Sequence, residues 1–397
     1  MLSVADAFAV TQQHLLRLPT ETVLLDQATG RVLRQAVRAD RDFPPFDRVS
    51  MDGIAVRITD DGRPEPLTFR VVGTQLAGQP PRSLTDPDTC LEVMTGAMLP
   101  TGANAVVRYE DVTIANGVAT VNVDVKPGLA VHHRATDRRA GDELLPIGTR
   151  LGPTELAVAA SVGQAELVVS ALPRVALIST GDELVDVTDL PLPYQIRRSN
   201  TYLLRAALAP LGITATLHHI VDDADVLADR LSALLAQNDV LVLSGGVSAG
   251  KADFVPSTLA KLGVQQQFHK VEQRPGKPLW FGTTPAKTVF GLPGNPVSTV
   301  LCAYRYVLPY LRASLGLPPE PARYAQLADD VTFRPALTYF LPVRLTAEPD
   351  GRWLAHPLPG SGSADFANLI DADGFLELPA DQSAFGAGEA FRLWPTR

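Results

Sequence analysis

The chain has 397 residues, 46% of them apolar, with 33 prolines, so several cores and many fixed turns are expected. Its 35 basic and 43 acidic residues leave a net charge of −8, against the basic footprint of a nucleic-acid binder. Cys90 and Cys302 are too few for a disulfide framework or a cysteine zinc site, no apolar run approaches the ~18 residues of a membrane span, and the first twenty residues lack the order of a signal peptide, so a cytoplasmic protein is expected.

Val4, Phe8 and Leu15 recur at helical spacing behind a Ser3/Asp6 capping box, which predicts a helix over 3–17. Residues 21–43 read as short strands and turns. A β-like pattern then runs from 44 to 140, where Val93, Val106, Val107 and the alternating 118–125 stretch lie between Gly and Pro turns. The character changes near 150. A small-residue helix opens at Pro153, and strands are predicted at 174–179, 214–221, 240–243 and 288–290. Helices are predicted at 201–211, at 224–237 with Asp222 or Asp223 as cap, at 257–261, and from Asn295-Pro296 to about 311. Strands alternating with helices mean a parallel sheet with crossover helices. After Pro318-Pro319 the pattern returns to β at 338–345, 353–356, 375–378 and 391–394, a small barrel or sandwich.

In an open α/β sheet, ligands bind beyond the carboxyl ends of the strands. Those ends carry Thr180-Gly181-Asp182-Glu183, Asp222-Asp223, Ser244-Gly245-Gly246-Val247-Ser248 and Gly291-Leu292-Pro293-Gly294-Asn295. Glycine lets the backbone approach a phosphate closely, and a helix opened by Asn295-Pro296 leaves N–H groups facing outward for an anion. Arg274-Pro275-Gly276-Lys277-Pro278 adds two cations on a stiff turn. Glu183, Asp222 and Asp253 are hard oxygen donors that suit Mg²⁺ better than zinc. Singly, each acid is as well explained as a helix cap or a solvated charge; their shared position raises the functional reading.

Two motif matches are weak. Gly246-Val247-Ser248-Ala249-Gly250 fits a nucleophile elbow, but 251–256 delay the helix that must begin at the serine, and His269 and His356 have no clear orienting partner. Gly245 to Lys251 nearly matches a P-loop, but Ala252 replaces the metal-binding hydroxyl. The adjacent pairs His132-His133 and His218-His219 are poorly placed to share one metal, because neighbours on a strand point to opposite faces.

Taken together, the motifs resemble the molybdopterin molybdenumtransferase family, which includes MoeA and the gephyrin E domain. Pro44-Pro45-Phe46-Asp47 with Ser50-Met51-Asp52-Gly53-Ile54-Ala55-Val56 is similar to the family's first signature, and the stretch from Thr95 to Val107 is similar to its second. Ser179 to Leu184, Ser199-Asn200, Ser244 to Ser248, Gly250 with Asp253, Pro275 to Pro278 and Leu292 to Pro296 follow in family order.

The resemblance implies a fold: a doubly wound parallel-sheet domain over 172–317 joined by the helix of 1–20, a β-rich inserted domain over 44–140, a connector and dimerisation domain from 21–43 and 141–171, and a C-terminal β-barrel over 318–397. It also implies a reaction, the Mg²⁺-dependent insertion of molybdate into adenylylated molybdopterin with release of AMP. Asp52, Glu183, Asp222, Asp253 and Lys277 would be catalytic, with Asp222 and Asp253 on the metal. Thr95, Asp137, Ser244, Gly245, Gly246, Ser248, Arg274, Gly276, Pro278, Asn295 and Ser361 would bind substrate. Asp52 and Thr95 would reach the site of a second subunit, so a homodimer is implied, supplied by the adenylyltransferase that makes the substrate.

Departures from the family pattern fall at Arg274, at 131–137, where only Asp137 is in place, and at Pro342, where an arginine is expected; Arg344, two residues on, is a candidate substitute. Two other function classes compete: a receptor-clustering scaffold, and a nucleotide pyrophosphatase that shares only the α/β domain. Asp222, Asp253 and Lys277 favour chemistry over scaffolding, and the signatures around Asp52 and Thr95 disfavour the pyrophosphatase.

Overall fold

The computed structural model describes residues 1–59, 65–247, 254–358 and 367–397. The chain divides into two compact units: Met1–Gln35, Ile147–Pro153 and Glu166–Arg397 form one, Ala36–Pro146 and Thr154–Ala165 the other.

The first unit is built on a six-stranded sheet. Its strands, in spatial order, are Ala215–Ile220, Val175–Thr180, Val240–Ser244, Thr288–Leu292, Trp280–Thr283 and Gln265–His269. The first four are parallel, with Val175 opposite both Ala215 and Val240, and Ser244 opposite Leu292. Three of them are buried along their whole length, which is why they read as unbroken apolar runs. The last two strands were not expected and run antiparallel. The turn 284–287 is too short for a crossover helix, so a hairpin is the only connection available; the Thr284 hydroxyl accepts the Lys287 N–H at 2.9 Å to close it.

Side chains alternate across this sheet, and the helices sort accordingly. Val175, Leu177 and Val242 face the helices Val4–Gln13 and Asn200–Leu208 and the long helix over 296–314, through Ala7, Leu204, Leu208, Val300 and Tyr310. Ala176, Ile178 and Leu241 face the helices Ala224–Gln237 and Val255–Lys261, through Leu227, Leu231 and Leu259. Asp223, not Asp222, caps Ala224–Gln237 by accepting the Asp225 and Val226 N–H groups.

The first helix stops at Gln13, short of the predicted 17. Tertiary partners take over its tail: the Tyr310 hydroxyl donates to the His14 carbonyl at 3.0 Å, and the Ser314 hydroxyl accepts the Leu16 N–H at 3.2 Å. The helix over 296–314 contains a π turn at Ala303–Val307. Pro309 lies just beyond it and cannot supply the N–H that an ordinary turn would direct to the Arg305 carbonyl.

Within the same unit, strands Arg323–Leu327, Thr338–Ala347, Trp353–Pro357, Gly374–Leu378 and Ala390–Pro395 close into a five-stranded barrel. Leu341, Val343, Leu376, Leu378 and Phe391 fill it. The short strand Gln273–Arg274 adds parallel to the start of Thr338–Ala347, so the cationic turn leaves directly from the barrel sheet.

The second unit centres on a six-stranded, mostly antiparallel sheet in the order Ala105–Arg108, Gly53–Val56, Thr89–Val93, Thr68–Gln75, Val118–Val121, Val112–Ala115. The strand at 118 covers only the first half of the predicted alternating stretch. Gly53 is required here, because a Cβ would lie 1.9 Å from the Val107 carbonyl oxygen of the neighbouring strand.

Candidate functional site

The four parallel strands end together, and their loops lock to one another. Asn200 opens its helix beside two of them: its amide nitrogen donates to the Ser244 hydroxyl at 2.8 Å and to the Gly294 carbonyl at 2.7 Å. Ser244 is 3% exposed, so its hydroxyl serves as an internal joint between loops. Gly245 and Gly246 hold φ of +100 and +69, and a Cβ on Gly245 would lie 2.8 Å from the Thr180 carbonyl oxygen. At the neighbouring strand end the Asp182 carboxylate accepts the Asp222 N–H at 3.0 Å, and the Gly181 carbonyl accepts from His219 Nε2 at 2.9 Å. The Glu183 carboxylate folds back over Gly181, whose added Cβ would meet its Oε2 at 2.5 Å.

The carboxylates described at this edge are Asp182, Glu183, Asp222 and Asp223, the last engaged as the cap of Ala224–Gln237. They are hard oxygen donors of the kind Mg²⁺ takes one or two at a time, keeping water and phosphate as its other ligands, so the donor set fits that ion. Among the described residues no group of three His, Cys, Asp or Glu side chains converges on one point. Ser248, Asp253 and Ser361 lie outside the described residues, as does most of the nucleophile-elbow and P-loop match. His269, one proposed partner of that elbow, bonds through Nε2 to the Val247 carbonyl at 2.9 Å, which makes this nitrogen a donor. His356, the other, bonds to the Thr346 hydroxyl.

Beside the sheet lies a cleft of about 790 Å³. One wall is the turn from Gln273 to Pro278 together with Asn295, Val297 and Ser298 at the start of the long helix. The other is the barrel, through Val331, Phe333, Tyr339, Leu341, Pro342 and Leu358. Lys277 is exposed, and its ammonium has no ion-pair partner among the described residues. Arg274 leans its guanidinium toward the Phe333 ring, 5.9 Å from the centroid, and Phe333 stacks on Tyr339 at 4.2 Å. Asn295 precedes the helix in extended geometry (φ −66, ψ 127) and makes no side-chain cap bond. The cleft thus has a cationic wall with a helix start and a barrel wall that is largely apolar and aromatic but also carries Asp330 and Thr332. Pro342 lines it, whereas Arg344 sits outside the lining and donates to Asp371 at 2.7 Å.

In the second unit, Asp52 and Thr95 are brought together. Asp52 Oδ1 accepts both the Thr95 N–H at 2.6 Å and the Thr95 hydroxyl at 2.7 Å. Those two bonds hold the Asp52 carboxyl below the usual aspartate value. Asp137 belongs to a different constellation: Arg48 donates to His132 Nδ1 at 2.9 Å, and His132 Nε2 donates to Asp137 at 3.0 Å. The same stretch binds the proline signature, since the Arg134 N–H donates to Asp47 Oδ1 at 2.8 Å and the Ala135 N–H to the Pro44 carbonyl at 3.1 Å; the Arg134 side chain donates to Asp42, just before the signature, at 2.7 Å. The segment 131–137, which departs from the family pattern, is therefore tied to the signature loop and the residues just before it by its own ion pairs.

Asn200 stands inside a family motif, yet its bridging role is invisible in sequence, because Ser244 and Gly294 are distant in the chain. Gln273 and the barrel residues Phe333 and Tyr339 carried no signal at all.

These features define a class: a multidomain α/β protein whose strand-end glycine loops adjoin a cleft with one cationic wall and one barrel wall. Comparison with known proteins places it further. Residues 2–163 match the model of the MoeA N-terminal region (domains I and II), 176–313 that of the probable molybdopterin binding domain, and 324–396 that of the MoeA C-terminal region (domain IV). The chain is 42% identical over 401 residues to the molybdopterin molybdenumtransferase of Synechocystis, covering 99% of this chain and 100% of that one. It is 32% identical to the Bacillus subtilis protein of the same name, over 94% of this chain and 89% of that one. Among solved structures, the molybdopterin biosynthesis MoeA protein from Pyrococcus horikoshii superposes with a TM-score of 0.84 at 31% identity, over 100% of this chain and 99% of that one. The chain belongs to the molybdopterin molybdenumtransferase family. No described helix is long and apolar enough to cross a membrane.

Proposed function

We propose that this chain inserts molybdate into adenylylated molybdopterin and releases AMP, as a cytoplasmic homodimer. The observation that carries this is the cleft wall where Lys277, Arg274 and the Asn295 helix start converge beside the glycine loops. Both anions of the reaction, the phosphoanhydride and molybdate, need such a wall, because cleavage of an anhydride depends on holding the phosphates and neutralising charge as it develops.

The proposed roles combine the described cleft wall with the family resemblance, which alone supplies those of Asp253, Ser248 and Ser361. The Lys277 ammonium neutralises the oxyanion, and the N–H groups at the helix start fix its orientation. Gly245, Gly246 and Gly276 supply the positive-φ turns that shape the loops around it. Asp222 and Asp253 hold Mg²⁺, which when bound lowers the charge on the phosphates. Arg274, Pro278, Ser248 and Ser361 complete the substrate surround, and Glu183 acts at the neighbouring strand end. Asp52 and Thr95, already paired with each other, act as one unit on the site of the partner subunit, and Asp137 binds substrate from its separate cluster with His132 and Arg48. Residues 21–43 and 141–171 form the dimerisation connector, and an adenylyltransferase delivers the substrate.

The test is AMP release from adenylylated molybdopterin with Mg²⁺, with and without molybdate. Molybdate-dependent release that is lost in Asp253→Ala supports the transferase and the metal role together. Release from many nucleotide anhydrides without molybdate replaces it with a pyrophosphatase.

A further inference from the structure

The turn from Arg274 to Pro278 is held from beneath by a chain of buried polar groups that begins in the π turn at Ala303–Val307. Wide turns of this kind are rare inside helices and gather at functional sites. This one aims two neighbouring side chains at different parts of the first unit. The Arg305 guanidinium lies 4.4 Å from the Trp394 ring and 4.7 Å from the Phe8 ring, with Glu377 3.6 Å from its Nε, so it faces the barrel and the first helix. Tyr306 faces the cationic turn. Its hydroxyl donates to Gln273 Oε1 at 2.5 Å, and Gln273 Nε2 donates onward to the Gly276 carbonyl at 3.3 Å. Cys302, one helical turn before Tyr306, places its sulfur 3.6 Å from the same Nε2. Gln273, Cys302 and Tyr306 are all fully buried.

The direction of this relay is fixed. Burial pushes the Tyr306 phenol far above its ordinary pKa, so the hydroxyl stays protonated and donates. Gln273 must then turn its oxygen toward Tyr306 and its amide nitrogen toward Gly276. Gly276 sits at φ +89, and a Cβ there would lie 2.6 Å from Gln273 Nε2 and 2.8 Å from Cys302 Sγ. The turn therefore packs directly on the relay, closely enough that no side chain fits between them.

We propose that Tyr306 and Gln273 are positioning residues: they hold the 274–278 turn in the shape that presents Lys277 to the oxyanion. This rests on the assignment of that turn as the anion wall, and it adds two fully buried residues that act through the turn. Because a buried, fully connected pair of hydrogen bonds has one low-energy arrangement, breaking either end frees the turn.

The experiment compares Tyr306→Phe, Gln273→Met, Lys277→Ala and Val307→Ala in molybdate-dependent AMP release, with thermal unfolding measured alongside. Val307 is a buried neighbour in the same wide turn that packs on the sheet core, and trimming it leaves the relay intact. In Tyr306→Phe and Gln273→Met, KM for molybdate is expected to rise and kcat/KM to fall about tenfold, the worth of one hydrogen bond to a positioned group. Val307→Ala is expected to melt lower and keep the wild-type KM. Wild-type KM and kcat in both relay variants, with Lys277→Ala impaired, overturn the positioning role and leave the anion wall standing. Wild-type rates in Lys277→Ala overturn the anion wall itself. An equal rise of KM in Val307→Ala and Tyr306→Phe overturns positioning by reducing the effect to lost stability.

Discussion

Asn200 donates to the Ser244 hydroxyl at 2.8 Å and to the Gly294 carbonyl at 2.7 Å, so one amide pins the ends of two adjacent parallel strands. Neither partner is near it in the chain. Removing the amide leaves a buried hydroxyl and a carbonyl short of a donor, at about 1–3 kcal/mol for each buried group left unsatisfied. Asn200→Ala is expected to lower the melting temperature and to cut AMP release further than the lost stability accounts for. Asn200→Asp is expected to be worse, because it sets a carboxylate oxygen against the Gly294 carbonyl. Unfolding curves together with kcat/KM check both.

Lys277 supplies the exposed cation of the cleft wall. Lys277→Ala is expected to reduce molybdate-dependent AMP release by about 100-fold or more, the usual cost of losing one preorganised stabiliser of developing charge. Lys277→Arg is expected to restore part of the rate, since charge is kept while the head becomes larger and planar. Steady-state kinetics at saturating substrate decide it.

Gly245 holds φ +100 with the Thr180 backbone 2.8 Å from where a Cβ would stand. Gly245→Ala meets both backbone strain and a carbonyl that cannot move without disturbing its strand. A destabilisation of about 1–3 kcal/mol is expected from the strained backbone alone, together with a loss of activity. Gly351, also at positive φ but with open space around it, is the control, where the alanine variant should keep full activity. Both variants carry the backbone strain, so denaturant unfolding of each against wild type measures that share, and the extra loss in Gly245→Ala measures the clash with Thr180.

Asp52 is held below its ordinary pKa by the two Thr95 bonds. A carboxylate with a lowered folded pKa adds stability that is present above the unfolded value and lost as the pH falls through the folded one. Stability of the protein is therefore expected to decline as the pH drops from the ordinary aspartate value of 3.8 toward the lower folded value. Thr95→Val, which keeps the N–H bond and removes the hydroxyl, should shrink that decline, and Asp52→Asn should remove this residue's share. Denaturant titrations repeated across the acid range measure it; an unchanged pH slope in Asp52→Asn counts against the pairing.

Arg344 was a candidate substitute for the arginine replaced by Pro342. Its guanidinium is instead engaged by Asp371 at 2.7 Å on an exposed part of the barrel. Arg344→Ala is expected to change stability by less than about 1 kcal/mol, the range of exposed ion pairs, and to leave the molybdate dependence of AMP release unchanged. A raised KM for molybdate in this variant would restore its candidacy.

Local patterns carried much of the architecture. Three of the parallel strands were legible because strands buried on both faces must be apolar throughout, whereas Ala215–Ile220 is only partly buried; Ala224–Gln237 was legible from its cap and its leucine spacing. The hairpin at 265–283 was not, because Gln265-Gln266-Gln267 reads as a polar loop; as the edge strand of the sheet, it is largely exposed along its first residues. The π turn was invisible too, since its residues are ordinary helix formers and only Pro309 hinted at a disturbed bond pattern.

The sequence by itself determined which chemical groups exist and which stand at strand ends: the glycine loops, the cations at Arg274 and Lys277, the paired signatures at Asp52 and Thr95. Their spacing is local, and local spacing is what backbone geometry reads. The tertiary structure alone decided which groups are engaged and which face the cleft. Ser244 became an internal joint, Arg344 became an ion-pair partner of Asp371, and Gln273 with Tyr306 became the support of the cationic turn. Those outcomes depend on residues far apart in the chain meeting in a buried place, where a polar group must find its partner and position in sequence gives no sign of which one.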